Sequence, residues 1–190
     1  RGQRLFVTTG LLMAAELYHL GVLLESPPRP FVAILGGAKV SGKREVIENL
    51  LGRIDTLLIG GAMAYTFFKA RGLPVGRSLV EASLIDATRT IERDAGARGV
   101  RIELPSDHVV TDRLEVGAAH ETLGVEDPAI GDRLGVDIGP ATVARYAAVI
   151  ADARTIVWNG PMGVFEIDAF APGTIAIAEA VAASAATSIG

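Results

Sequence analysis

The chain has 190 residues, of which 49% are hydrophobic and 21% are charged, a composition typical of one globular domain with a sizeable core. The formal net charge is −4 and no basic block is present, which argues against a nucleic-acid-binding surface. The absence of cysteine excludes disulfides and thiolate metal sites. The sequence has no run of 18 apolar residues, so no membrane span is predicted.

Helix and strand signals alternate along most of the chain. Residues 11–24 have apolar side chains at helical spacing, and the proline-rich segment 25–30 ends this helix. Further helices are predicted at 44–51, 62–71, 84–95, 141–151 and 174–185. Apolar strands are predicted at 31–35, 56–59, 100–104 and 155–158. This order predicts an α/β fold, a doubly wound, mostly parallel sheet with helices on both faces in three layers.

Two parts of the chain are harder to interpret. Within 105–135 we predict only short strands or loops, near 109–110 and 114–116. The last letters, ATSIG, are predicted to begin another strand, and the chain does not start with Met, so we expect it to be a piece of something longer. The histidines, His19, His108 and His120, are distant from one another in sequence and are predicted to be ordinary polar or packing residues.

Glycine clusters follow three of the predicted strands. Gly36-Gly37, Gly60-Gly61 and the segment 159–163 (NGPMG) each come directly after an apolar run. In an open α/β sheet, ligands bind beyond the carboxyl ends of the strands, where loops lead into helix N-termini. One such cluster is equally compatible with a plain tight turn, but three at the same edge favour a site where a ligand approaches backbone N–H groups.

Two lysines belong to the first of these clusters. Residues 37–43 (GAKVSGK) match the first seven letters of a P-loop, but Arg44 stands where that motif needs a Ser or Thr for Mg²⁺. Lys39 and Lys43 are four residues apart, so they would share one face if the helix began early. Two adjacent like charges are unfavourable without an anion between them, so a phosphate-binding pair and two solvated surface lysines both remain open.

The third glycine cluster is flanked by two residues of interest. Glu166 is an acceptor suited to ribose hydroxyls, with a solvated carboxylate as the alternative. Trp158, the only tryptophan, ends an apolar strand, so packing in the core is favoured over stacking on a ligand. No Ser/His/Asp grouping and no metal-ligand spacing stands out in the sequence.

Four segments together closely resemble the C-terminal nucleotide-binding domain of the phosphoglycerate kinase family. They are FVAILGGAKVSGK, LLIGGAMAYTFFKARG, GVDIGP and IVWNGPMGVFE, in this order and spacing. The resemblance extends from about residue 11 over nearly the whole chain. It implies a glycolytic, cytoplasmic and monomeric kinase that uses ATP or ADP with Mg²⁺ and acts on 3-phosphoglycerate. The P-loop match is then accidental, because the lysines serve as charge neutralisers for a loose phosphoryl-transfer transition state.

The resemblance also implies roles for individual residues. Lys39 matches the lysine that approaches the transferring phosphoryl group and the α-phosphate, which makes it the candidate catalytic residue. Lys43 matches the second phosphate-binding lysine. Asn159 matches a residue near the phosphates, and Glu166 matches the carboxylate on the ribose hydroxyls. The matches around the adenine are Gly61, Gly76 and Gly135, with Leu79, Pro161 and Val164 as apolar walls.

Three residues depart from the family pattern. Gly42 stands where the family usually has Asp, which removes a local carboxylate. Ala62 stands where the family has Gly, and we expect its methyl group to narrow the adenine edge and weaken nucleotide binding. Arg133 replaces a tryptophan that commonly lies just before the segment matching GVD.

The resemblance further implies that the chain is only part of such a kinase. Residues 1–30 match the interdomain helix and linker, and residues 31–190 match a nucleotide-binding domain that is incomplete at its C-terminal end. The N-terminal domain that binds 3-phosphoglycerate, and the Asp that binds Mg²⁺, would lie outside this sequence. The chain alone is therefore expected to be inactive. The alternative hypothesis is a stand-alone, non-catalytic nucleotide-binding or interaction module.

Overall fold

The computed structural model describes residues 27–190, so the helix predicted at 11–24 lies outside the described residues. The strands of the described part are β1 (Phe31–Leu35), β2 (Thr56–Ile59), β3 (Arg101–Glu103), β4 (Asp107–Thr111), β5 (His120–Gly124), β6 (Leu134–Ile138), β7 (Thr155–Asn159) and β8 (Thr187–Ile189). The helices are α1 (Arg44–Leu50), α2 (Ala64–Ala70), α3 (Ile85–Ala97), α4 (Pro140–Asp152) and α5 (Pro172–Ala183).

Five strands form a parallel sheet in the order β3-β2-β1-β7-β8. Its central strand, β1, is buried at every residue. Alternate side chains of β1 project from opposite faces of the sheet. Phe31 and Leu35 pack in a core with α1, α2 and α3, whereas Val32 and Ile34 pack with α4 and α5. Helices therefore cover both faces, which confirms the predicted doubly wound, three-layer α/β fold. The final strand, β8, also forms where ATSIG predicted one.

Three further strands form a separate antiparallel sheet in the order β5-β4-β6. β4 and β5 come from the segment 105–135 whose pattern was unclear, and β6 begins at the end of that segment. The strand or loop expected at 114–116 is an exposed loop, with Leu114 54% and Val116 87% exposed. β5 and β6 were not predicted; β5 is polar and largely exposed, so no apolar alternation identifies it.

Two buried aspartates connect the antiparallel sheet to helix N-termini. Asp107 of β4 accepts hydrogen bonds from the backbone N–H groups of Ala141 (2.9 Å) and Thr142 (2.7 Å) in the first turn of α4. Asp137 of β6 accepts one from the N–H of Gly173 (2.6 Å) in the first turn of α5. The first N–H groups of a helix have no partner within the helix, so a carboxylate stabilises this end. These contacts fix the antiparallel sheet beside the carboxyl edge of the parallel one.

Candidate functional site

The three glycine loops bind one another at the carboxyl edge of the parallel sheet. The N–H of Gly36 donates to the carbonyl of Asn159 (3.0 Å), and the N–H of Gly37 donates to that of Pro161 (2.9 Å). The N–H of Gly61 donates to the carbonyl of Met162 (2.9 Å). The loops that follow β1, β2 and β7 thus form one continuous backbone surface.

Close contact between these loops requires glycine at several positions. A Cβ on Gly36 would lie 2.0 Å from the carbonyl oxygen of Pro161, and one on Gly61 would lie 2.5 Å from the backbone nitrogen of Gly37. Gly61 also has φ +65°, a conformation in which side chains are strained. The first consequence of these glycines is therefore close packing of the loops on one another, rather than room for a ligand.

A cavity of about 320 Å³ lies where the three loops meet α2 and β6. Five of the residues expected at the nucleotide line it: Gly61, Gly135, Pro161, Val164 and Glu166. Much of the lining is apolar, and Glu166 is an exposed carboxylate at the same cavity. A mostly apolar cleft of this volume with a few polar groups is the usual form of a small-molecule site.

Gly76 and Leu79 lie beside this cavity, outside its lining. The N–H of Gly135, a lining residue, donates to the hydroxyl of Ser78 (2.9 Å), and Leu79 follows Ser78 in the chain. Gly76 has φ +54°, and a Cβ there would lie 2.1 Å from the carbonyl oxygen of Arg133. The glycine therefore serves the packing of this loop against the residues before β6.

A buried aromatic pair, missed in the sequence, forms another part of the wall. The hydroxyl of Tyr65 is hydrogen-bonded to Nδ1 of His108 (2.8 Å), and the two rings are stacked with centroids 5.8 Å apart. His108 is 2% exposed, and its Nε2 has no hydrogen-bond partner within residues 27–190. Burial lowers the pKa of His108 to about 4, so the ring is neutral at pH 7. His108 was expected to be an ordinary packing residue; it packs, but it also lines the cavity.

Asp137 is a second lining residue that sequence reasoning did not single out, although it belongs to the recognised segment GVDIGP. It is 5% exposed and accepts hydrogen bonds from the N–H groups of Gly173 (2.6 Å) and Ile138 (2.9 Å). Burial raises the pKa of Asp137 to about 6, against the opposite effect of these two hydrogen bonds. Gly163 leaves room for the carboxylate, because a Cβ there would lie 2.3 Å from its Oδ1.

Lys39 and Lys43 both lie in the segment 36–43, which we call the lysine loop. Because α1 begins only at Arg44, the two lysines do not share a helix face. Lys43 is half-buried, and its ammonium donates a hydrogen bond to the amide oxygen of Asn159. Desolvation lowers the pKa of Lys43. Lys39 is exposed, and its ammonium has no hydrogen-bond partner in the described part of the chain.

Trp158 packs against the core on the α4 and α5 face, as expected, and its indole N–H donates to the carbonyl of Gly160 (2.8 Å).

Ala62 lines the cavity, so its extra methyl group is at the site. Gly42 is exposed, with nothing within 4 Å of a Cβ. Arg133 forms an ion pair with Glu121 and hydrogen bonds to backbone carbonyls of the turn that precedes β6.

No group of three or more His, Asp or Glu side chains within 27–190 is arranged to hold a metal ion. None of the helices in this range is long and apolar enough to cross a membrane.

The fold and the cavity define a doubly wound α/β protein with a small-molecule cleft at the carboxyl edge of its sheet, where such folds bind ligands. The family model described as phosphoglycerate kinase matches residues 3–190, and the chain therefore belongs to the phosphoglycerate kinase family. The phosphoglycerate kinase of Koribacter versatilis is 53% identical over 181 residues, covering 95% of this chain and 45% of that protein. That of Chlorobium chlorochromatii is 53% identical over 173 residues, covering 91% and 43%.

Solved structures agree with this assignment. The phosphoglycerate kinase from Coxiella burnetii superposes with a TM-score of 0.86 at 44% identity, over 94% of this chain and 46% of that one. The enzyme from Pyrococcus horikoshii gives a TM-score of 0.75 at 31% identity, over 94% and 51%. The chain thus spans about half the length of the relatives it matches.

Proposed function

We propose that the natural full-length protein carrying this chain transfers a phosphoryl group between ATP and 3-phosphoglycerate, with its nucleotide site in residues 31–190. Family membership supports the reaction. The observation that carries the proposal for the site is the cavity between three glycine loops, with a half-buried lysine on the segment that contains the first of them. A cytoplasmic location, a monomeric state and an N-terminal partner domain belong to the same proposal.

The adenine is proposed to occupy the cavity. Pro161 and Val164 offer apolar contact to its faces. Gly61 and Gly135 let the neighbouring backbone and the Tyr65 ring pack closely, which shapes the wall of the cavity. Gly76 and Leu79 belong to the neighbouring loop, which packs behind the Gly135 side of the cavity and supports it. Glu166 then accepts hydrogen bonds from the ribose hydroxyls.

The phosphates are proposed to lie over the lysine loop. Lys43 is hydrogen-bonded to the neutral amide of Asn159 rather than to a carboxylate, so its positive charge is oriented without being neutralised. Burial has already removed part of its water, which strengthens its attraction to an anion. Lys39, exposed and without a hydrogen-bonded partner in residues 27–190, supplies the second charge.

The chemistry is proposed to follow from these positions. The bond between the γ-phosphorus and its bridging oxygen breaks, a new bond forms to the carboxylate of 3-phosphoglycerate, and ADP and 1,3-bisphosphoglycerate result. Negative charge spread over the transferring group is stabilised by Lys39 and Lys43. Mg²⁺ would add charge neutralisation at the phosphates. Within residues 27–190 no group of three or more His, Asp or Glu side chains is arranged to hold a metal ion, and the Asp that would bind Mg²⁺ is proposed to lie outside this sequence.

The proposal is tested with the natural full-length protein. A coupled assay should show ADP formation that requires both ATP and 3-phosphoglycerate, and calorimetric titration should show ADP binding. ADP binding without turnover would instead favour the non-catalytic nucleotide-binding module. Absence of both would refute the proposed function.

A further inference from the structure

The lysine loop is held by a carboxylate from a different part of the chain. Glu81 lies between α2 and α3, 40 residues after Ser41. The N–H of Ser41 donates to Oε2 of Glu81 (3.0 Å), and the hydroxyl of Ser41 donates to Oε1 (2.6 Å). Both carboxylate oxygens are therefore bound to one residue of the loop. Such two-point contact fixes orientation as well as distance.

Glu81 is itself anchored to the core. Its backbone N–H donates to the hydroxyl of Thr66 (3.1 Å), and Thr66 is 1% exposed on α2. The contact to Ser41 thus connects the lysine loop to the helix that borders the cavity.

The rest of the loop shows why this contact matters. Its first two residues are bound to the third glycine loop, and Val40 is fully buried. Between these anchors, Lys39 is exposed. After them, Gly42 has nothing within 4 Å of a Cβ. Among described residues, Glu81 therefore provides the side-chain contact that orders the loop between Val40 and Lys43.

The carboxylate of Glu81 also interacts electrostatically with the lysine loop. Burial alone would raise its pKa, but the hydrogen bonds from Ser41 and Val40 and the charge of Lys39 outweigh burial and lower it. The carboxylate is accordingly ionised at neutral pH. It accepts hydrogen bonds from Val40 and Ser41, the two residues after Lys39, and forms none with the Lys39 ammonium, which stays available to a ligand.

We propose that Glu81 is a positioning residue for phosphoryl transfer, which binds Ser41 so that the loop presents Lys39 in its productive place. This inference rests on the proposed function. Positioning contributes to catalysis because the reacting groups need not be ordered at the moment of reaction. Loosening the loop should therefore lower kcat more than it weakens nucleotide binding.

The test uses the natural full-length protein and the variants Glu81→Ala, Glu81→Gln and Ser41→Ala. Glu81→Ala should lower kcat by about 10- to 100-fold, since a misplacement of about 1 Å can cost about 100-fold. The dissociation constant of ADP should change by less than about threefold, since the cavity is intact. Glu81→Gln, which keeps one acceptor oxygen, should show a smaller loss of kcat. Adding Ser41→Ala to Glu81→Ala should change kcat little further, because both variants break the same contact.

The matched control is Glu45→Gln, which removes an exposed carboxylate from the first turn of α1. It should leave kcat unchanged. Hydrogen exchange gives a readout independent of turnover: the Ser41 amide should lose protection in Glu81→Ala and keep it in the control. Unchanged kcat in Glu81→Ala, or equal losses in kcat and ADP affinity, would overturn the positioning role. If the unmodified protein has no turnover, the proposed function fails and this role fails with it, whereas exchange still reports whether Glu81 orders the loop.

Discussion

The ammonium group of Lys43 donates a hydrogen bond to the amide oxygen of Asn159, which lies 116 residues further along the chain. The same asparagine accepts the N–H of Gly36 at its backbone carbonyl (3.0 Å). Asn159 therefore fixes both the start of the lysine loop and the charged group at its end. A neutral partner orients the ammonium without cancelling its charge, so the contact prepares a cation for an anionic ligand.

The first prediction concerns Lys43. Lys43→Met should weaken ADP binding by about 10- to 100-fold, the loss expected for one hydrogen bond to a charged group. Calorimetric titration of the full-length protein measures this. The control is Lys69→Met, which changes an exposed lysine on α2. The sequence contains three lysines, Lys39, Lys43 and Lys69. If the dissociation constant of ADP stays within about threefold of that of the unmodified protein, the binding free energy changes by well under about 1 kcal/mol. Lys43 would then not contact the phosphates.

The second prediction concerns Lys39. Lys39→Ala should lower kcat by about 10²- to 10³-fold and change KM much less, because its charge is needed chiefly as the phosphoryl group moves. Steady-state kinetics of the full-length protein, with Lys69→Ala as the control, measure both constants. If kcat stays within about threefold, Lys39 is only a surface lysine.

The parallel sheet could be predicted because its central strands are short apolar runs, each bounded by glycine or by a turn. β1 and β2 are buried on both faces, so every residue in them carries the signal. The antiparallel sheet could not be predicted in the same way. Most of β5 is polar and exposed, and the register of β4 with β6 shifts between Val109 and Val110. Strand pairing rather than local pattern defines this sheet.

The site was predictable where the glycine loops form it and unpredictable where distant elements meet. Pro161 and Gly61 stand within recognisable segments and line the cavity. Tyr65 and His108 are brought together from α2 and β4, 43 residues apart. Placing His108 at the cavity requires knowing which face of β4 it occupies, and that depends on the pairing of β4 with β6. Its sequence position alone carries no such signal.

The third prediction concerns Asp137, whose pKa is raised to about 6 by burial. Between about pH 4 and pH 6 the folded state binds more protons than the unfolded state, so the free energy of unfolding falls as the pH rises. The decrease should be on the order of 3 kcal/mol. Because the buried His108 contributes an increase over much of the same range, the decrease is isolated by comparison. In denaturant titrations, the free energy of unfolding of Asp137→Asn should rise more steeply with pH than that of the unmodified protein. Asp132→Asn, at an exposed carboxylate, is the control. An unaltered pH dependence in Asp137→Asn would contradict the raised pKa.

The fourth prediction concerns His108, whose effect on stability has the opposite sign. Its pKa is lowered to about 4 by burial, so between about pH 4 and pH 6.5 the unfolded state binds more protons. The free energy of unfolding should therefore rise with pH over this range, again by on the order of 3 kcal/mol. His108→Phe should remove this increase, leaving the decrease from Asp137 visible. His120→Gln, at an exposed histidine, is the control. A slope unchanged by His108→Phe would show that the buried ring does not titrate as described.

The last prediction concerns Gly135, where a Cβ would lie 1.4 Å from the hydroxyl oxygen of Tyr65 and 2.1 Å from the ring carbon that bears it. Tyr65 is 4% exposed and hydrogen-bonded to His108, so its ring has little room to move except toward the cavity it lines. Gly135→Ala should therefore reduce stability by about 1–3 kcal/mol through overpacking and weaken ADP binding by at least about tenfold.

Thermal unfolding and calorimetric titration measure the two effects of Gly135→Ala. The control for ADP affinity is Gly96→Ala on α3, because nothing lies within 4 Å of a Cβ there and Gly96 does not line the cavity. Adding Tyr65→Ala to Gly135→Ala removes the displaced ring, so ADP affinity should partly recover. Stability should not recover, because truncating a buried aromatic side chain leaves a void that costs about 3–5 kcal/mol. Recovery of affinity without stability would distinguish a blocked cavity from general unfolding. Unchanged ADP affinity in Gly135→Ala would mean that the nucleotide does not use this cavity.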